Sequence, residues 1–116
     1  MSTQVLRDVY ERIVKNFMDV LVMAELRNNP LSGYDVISLI HKKFNLLVSS
    51  GTVYSLLYSL ERDGLIEGKL NDRKRVYVLT DKGEKTIGAI LNANDQIQSI
   101  VVDLFKRNSN PQNRVR

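Results

Sequence analysis

Apolar residues change their spacing twice along this chain, and few folds accommodate that order. Up to residue 63 they recur at intervals of three and four; from 65 to 79 they alternate; from 81 the helical spacing returns. The first helical stretch, Val5 to Leu26, carries Val5, Val9, Ile13, Phe17, Val20, Leu21 and Ala24. After Phe17 the stripe widens until Val20 to Met23 are consecutive. A helix apolar nearly all round is buried on more than one side. The first half is therefore expected on a partner surface and the second half in the core. Asn28-Asn29-Pro30 ends it.

Ser32 suits the N-cap of a short second helix, Gly33 to Phe44, with Val36, Ile37, Ile40 and Phe44 inward. After the turn Asn45 to Val48, Ser50 is expected to cap a third helix, Gly51 to Asp63, whose inner face is Val53, Leu56, Leu57 and Leu60. Gly64 supplies the positive φ that ends helices. Strands Leu65 to Leu70 and Arg75 to Leu79 then flank the turn residues Asn71-Asp72-Arg73-Lys74. Thr80 to Glu84 resembles a capping box opening a long helix, Asp81 to Lys106. Two short helices and a turn followed by a hairpin make a winged helix-turn-helix. The expected fold is thus mainly α with a small β-hairpin: a winged helix-turn-helix with a long C-terminal dimerisation helix. Residues 1–80 are expected to form the winged helix-turn-helix DNA-binding domain with its N-terminal helix, 81–107 a dimerisation helix of the same domain, and 108–116 a disordered basic tail.

The 116 residues suffice for one core. No apolar run approaches the roughly 18 residues of a membrane span, and Met1-Ser2-Thr3-Gln4 lacks the layout of a signal peptide. Without cysteine there are no disulfides and no thiolate metal sites; a cytoplasmic location is expected. The net charge is +4, and its placement matters more than its size. Lys69, Arg73, Lys74 and Arg75 cluster in the hairpin against Asp72 alone, and Lys106, Arg107, Arg114 and Arg116 end the chain. Catalysis finds no motif. The single histidine, His41, lies beside Lys42 and Lys43, and no phosphate-binding glycine loop or paired-histidine metal site is present. No catalytic, cofactor or metal residues are therefore assigned.

On the third helix the positions left over from the inner face are Thr52, Tyr54, Ser55, Tyr58, Ser59 and Arg62. None is acidic, and hydroxyls, phenols and a guanidinium suit phosphates and base edges. Helix starts offer free N–H groups to phosphate, which adds Ser32, Gly33, Tyr34 and Ser50 as candidates; Gly33 would admit a phosphate closely. Arg73, Lys74 and Arg75 sit where a wing reaches phosphates or the minor groove. In the last helix Ile87, Ile90, Asn94, Ile97, Val101 and Leu104 follow the a/d spacing of a coiled coil, with Asn94 at an a position where a buried amide fixes register. Leu91, Ile100 and Phe105 form a second stripe that Val5, Val9 and Ile13 could cover. Apart from Ile100, these apolar residues and Asn94 are the expected dimer interface.

The series Ser32-Gly33-Tyr34-Asp35-Val36, Ser50-Gly51-Thr52-Val53-Tyr54, Leu60-Glu61-Arg62-Asp63-Gly64-Leu65-Ile66 and Tyr77-Val78-Leu79-Thr80 resembles the PadR-like family of winged-helix transcriptional regulators. The resemblance covers roughly Phe17 to Leu91. It implies a homodimer joined largely through the last helix, the third helix in the DNA major groove and the hairpin as wing. It further implies repression in many members, and in some a small aromatic or drug-like effector between the subunits. Ser32 stands where the family often has His, and the wing lacks the usual Gly-rich, Pro-containing tip. With no tryptophan, an indole-lined drug site is excluded; Tyr10, Phe17 and Phe105 could line a smaller cavity. The expected function is a sequence-specific double-stranded DNA-binding regulator, a repressor, acting as a homodimer on an inverted-repeat operator. The alternative is a winged-helix module for protein–protein contacts. An uncharged recognition face or an acidic wing would favour it, and neither is present.

Overall fold

The computed structural model describes residues 2–109. Its elements are α1 (Ser2–Asn16), α2 (Met18–Leu26), α3 (Gly33–Phe44), α4 (Ser50–Arg62), β1 (Ile66–Asn71), β2 (Lys74–Leu79), α5 (Asp81–Asn92) and α6 (Asn94–Ser109). The mainly helical winged helix-turn-helix with a hairpin, read from the spacing of apolar residues, is what the chain forms. Two stretches expected as single helices are divided. The first bends at Phe17, whose φ of −110° and ψ of 21° leave the helical region. The last bends at Ala93, with φ −91° and ψ 15°. The bend at Phe17 separates two kinds of helix. Met18, Val22, Met23 and Leu26 of α2 are all buried, whereas α1 has one apolar face that buries only Val14.

The core is built around α2. Val36 and Ile40 of α3, Val53, Leu57 and Leu60 of α4, Ile66 and Tyr77 of the hairpin, and Ile87 of α5 close on it. Leu46, in the turn between α3 and α4, is buried with them. Helix α3 begins in a full capping box. The Ser32 hydroxyl accepts from the Asp35 N–H at 3.1 Å, and the Asp35 carboxylate accepts from the Ser32 N–H at 2.9 Å. It ends at Asn45, which takes the left-handed conformation at φ 54°. Helix α4 starts one residue earlier than expected. Its cap is Ser49, whose hydroxyl accepts from the Thr52 N–H, and Ser50 is the first helical residue.

β1 and β2 pair antiparallel from Ile66 opposite Leu79 to Asn71 opposite Lys74. Only Asp72 and Arg73 remain for the turn, both with positive φ, 49° and 67°. This is the two-residue turn whose twist matches the strands, made here without glycine. Leu31 adds a single bridge on the other side of β2, exchanging hydrogen bonds with Tyr77. Local sequence gives only the helix stop Asn28-Asn29-Pro30 just before it. Thr80 caps α5 through the Gly83 N–H, with no return bond from a glutamate because the third helical position is glycine. Helix α6 runs to Ser109, past the expected start of the tail at 108. Residues 110–116, the remainder of that expected tail, lie outside the described residues. Among the described residues no helix is long and apolar enough to cross a membrane.

Candidate nucleic-acid interface

Three contacts bring the start of α3, the middle of α4 and the hairpin together. The Tyr54 ring on α4 lies directly over Gly33, so that a Cβ there would fall on its Cζ, Cε1 and Oη atoms. Lys74 of the hairpin reaches Asp35 in the first turn of α3, with 3.8 Å between Nζ and Oδ2. Arg75 meets Glu61 near the end of α4 at 2.9 Å. Each side of the triangle thus has its own side-chain link. The surface between them carries Tyr34, 72% exposed, and Tyr58, 67% exposed. Thr52, Ser55 and Arg62 are exposed on the same helix as Tyr58. The sole acid of α4, Glu61, is engaged by the hairpin, so the exposed positions of that helix present no free carboxylate.

Not every candidate residue sits as the sequence suggested. Ser32 is buried and its hydroxyl is used in the cap. Gly33 is buried too, and the space left by its absent side chain is filled by the Tyr54 ring, leaving no close approach for phosphate. The Asp35 carboxylate occupies the α3 N-terminus. The Ser32 N–H that it accepts, together with the Ser32 hydroxyl and Lys74, holds its pKa below the usual 3.8 although burial opposes this. A second anion beside it would be repelled. Of the residues proposed there, Tyr34 alone is open to solvent. On α4, Thr52 is tied to Ser49, whose hydroxyl donates to Thr52 Oγ1 at 2.9 Å. Ser49 itself escaped the sequence reading, since two adjacent serines offer equally good caps. Arg62 lies 3.5 Å from its neighbour Asp63.

In the hairpin Arg73 stands at the tip, exposed. Arg75 behaves differently. Its guanidinium stacks over the Tyr77 ring at 5.6 Å and bonds Glu61, and hydrogen bonding by Tyr77 and then Glu61 raises its pKa. The expected dimer residues also divide. Ile87 is 0% exposed and belongs to the core, so it is withdrawn from the interface: α5 turns that side onto α2 before the bend at Ala93. Ile90 is half-buried against the same core. Leu91, Ile97, Val101, Leu104 and Phe105 are exposed, as are Val5 and Ile13 of α1, while Val9 is half-buried. Asn94 is exposed and accepts from Gln98 on its own helix at 2.8 Å. Val9, Ile13 and Phe17 face Val101, Leu104 and Phe105 across a groove of about 330 Å³. Phe17 and Phe105 thus share a cavity, whereas Tyr10 packs on Phe44 at the end of α3.

Many solved structures share this fold. A PadR family transcriptional regulator from Eggerthella lenta is 18% identical, with a TM-score of 0.75 over 94% of this chain and 97% of that one. A PadR-like transcriptional regulator from Bacillus cereus is 22% identical, with a TM-score of 0.71 over 81% and 96%. Bacillus subtilis PadR, solved in complex with operator DNA, is 25% identical, with a TM-score of 0.58 over 64% of this chain and 46% of that one. No curated protein matches the sequence. The family model of the transcriptional regulator PadR-like family matches residues 22–89, more than half of the chain, and the chain belongs to that family.

Proposed function

We propose that this regulator binds double-stranded DNA sequence-specifically, as a homodimer, and represses from an inverted-repeat operator. One observation carries the reading: the exposed side of α4 offers hydroxyls, phenols and a guanidinium but no free carboxylate, next to a hairpin tip bearing Arg73. Phosphate oxygens and base edges are the surfaces that such donors serve. Helix α4 enters the major groove with Ser55 and Tyr58 toward the bases, and Tyr54 braces the start of α3 through Gly33. Tyr34, Ser50, Arg62 and Arg73 lie along the backbone. Arg73 adds a physical argument. A left-handed arginine costs about 1 kcal/mol where glycine would cost nothing, and a side chain retained at that cost at an exposed tip suits a ligand contact. The Bacillus subtilis relative, bound to operator DNA, supports the same reading.

The homodimer is supported by α6, on which Ile97, Ile100, Val101, Val102, Leu104 and Phe105 are all exposed. An apolar helix surface of this extent calls for a partner, and a second α6 with the early residues of α1 would cover it. The groove between α1 and α6 falls in the lower range of ligand cavities, which supports a small aromatic effector lying between Phe17 and Phe105. We assign no catalytic step to any residue. A chain without cysteine that works on DNA suits the cytoplasm. Footprinting with the purified protein on the DNA upstream of its own gene tests the proposal. A protected inverted repeat is expected; absence of protection, together with capture of a protein partner by the α4 face, would favour the protein-contact module instead.

A further inference from the structure

The Arg75 side chain is held from three directions. Its Nη2 donates to Glu61 Oε2 at 2.9 Å. The same oxygen accepts the backbone N–H of Gly68 at 3.0 Å, so one carboxylate ties α4 to both strands of the hairpin. Gly68 is also where the guanidinium lies: a Cβ at that position would sit 2.5 Å from Nη2 and 2.6 Å from Cζ. On the remaining side the Tyr77 ring supports Cζ at 5.6 Å. Arg75, Tyr77 and Gly68 share one face of the hairpin, because Gly68 pairs with Tyr77 and Arg75 lies two residues before Tyr77. That face starts in the core at Ile66 and leaves it at Arg75. A planar fork fits this slot, and an ammonium cannot replace it.

We propose that Glu61 and Arg75 are positioning residues for DNA recognition: they fix the angle between α4 and the wing, and Arg75 does not itself contact phosphate. The proposal rests on the DNA-binding reading above. It separates two arginines two residues apart in the same wing, Arg73 as a contact and Arg75 as a strut. A loosened wing loses affinity where both elements must register on one site, and loses little on DNA of arbitrary sequence. Removing a strut also releases no counterion, so the salt dependence stays unchanged.

The test uses the full chain and two duplexes, one selected from a random 30-base-pair pool and one of arbitrary sequence. Affinities are measured across a salt series for wild type, Arg73→Ala, Arg75→Lys, Arg75→Gln, Glu61→Gln and the Glu61→Gln/Arg75→Gln pair. Arg75→Lys, which keeps the charge, is expected to behave as Arg75→Gln. Each should lose about fivefold on the selected duplex, the scale of one exposed ion pair, and less than twofold on the other. The salt slope should stay at the wild-type value, whereas Arg73→Ala lowers it by about one. The double variant should lose no more than either single one. An Arg75→Lys protein that binds as wild type, an Arg75→Gln slope lowered by about one, or additive losses would overturn the proposal. Wild-type protein that binds neither duplex would instead overturn the DNA-binding reading, and the proposal with it.

Discussion

Gly33 and Tyr54 form one fitted pair although 20 residues lie between them, and the motif that carries both was legible before its purpose was. In the sequence Gly33 looked like room for a phosphate; in the fold it is room for a ring. Gly33→Ala should therefore push aside the outer end of the Tyr54 side chain, which is 49% exposed and can turn away, at a cost of no more than about 1 kcal/mol, and adding Tyr54→Ala should recover part of it. Urea melts of the two variants check this, a double variant worse than the sum being the contrary result. Arg73 gives effects of opposite sign. Arg73→Gly should stabilise the fold by about 1 kcal/mol by relieving the left-handed turn, yet weaken binding on all DNA alike; thermal melts and binding isotherms on one preparation read both. For Asp35 the folded pKa lies below 3.8. Its contribution is full above that value and disappears as pH falls through the lower folded one. Asp35→Ala should cost less than about 1 kcal/mol at pH 7, the carboxylate being partly exposed. Denaturation at pH 7 and at pH 3 should show the gap to wild type narrowing on acidification.

At the level of elements, α3, α4 and the hairpin could be read because their boundaries are set locally, by the Ser32 cap, the left-handed Gly64 and the alternation of strand residues. The bends could not be read in the same way. At Phe17 the i to i+4 bonds continue on either side, to Ile13 at 3.1 Å and from Leu21 at 3.1 Å, and no glycine or proline marks the place. The direction changes where Met18, Val22, Met23 and Leu26 of α2 all enter the core, whereas α1 places Val14 there. At Ala93 the flanking Asn92 and Asn94, both weak helix formers, were an available signal. The link from Glu61 to Arg75 depends on how the hairpin docks on α4, which no local pattern encodes. These bends decide the fate of the seam residues, and two substitutions separate them. Ile87→Asp places a charge in the core and should unfold the domain. Ile97→Asp, on a residue 37% exposed, should leave the fold intact and convert dimer to monomer at micromolar concentration. Circular dichroism and analytical ultracentrifugation of both decide it; a dimeric, folded Ile97→Asp protein would shift the interface to α1.

As a whole the molecule is elongated, 61 × 32 × 21 Å, with a radius of gyration of 17.1 Å against about 13 Å for a compact chain of this length. In the proposed function the compact half meets DNA and the extended apolar half pairs with a second copy. Pairing through α6 would set two α4 helices about 34 Å apart, one turn of DNA, and call for half-sites about 10 base pairs apart or a multiple of that. In the proposed function the α4 face and the wing meet a polyanion, a contact to which salt dependence is the direct guide. Fluorescence anisotropy of a labelled 30-base-pair duplex, titrated with the full chain at several salt concentrations, gives the slope of log affinity against log salt. If the dimer neutralises about six phosphates, that slope lies near −5. A flat response, or no binding at low salt, would contradict DNA binding by this face.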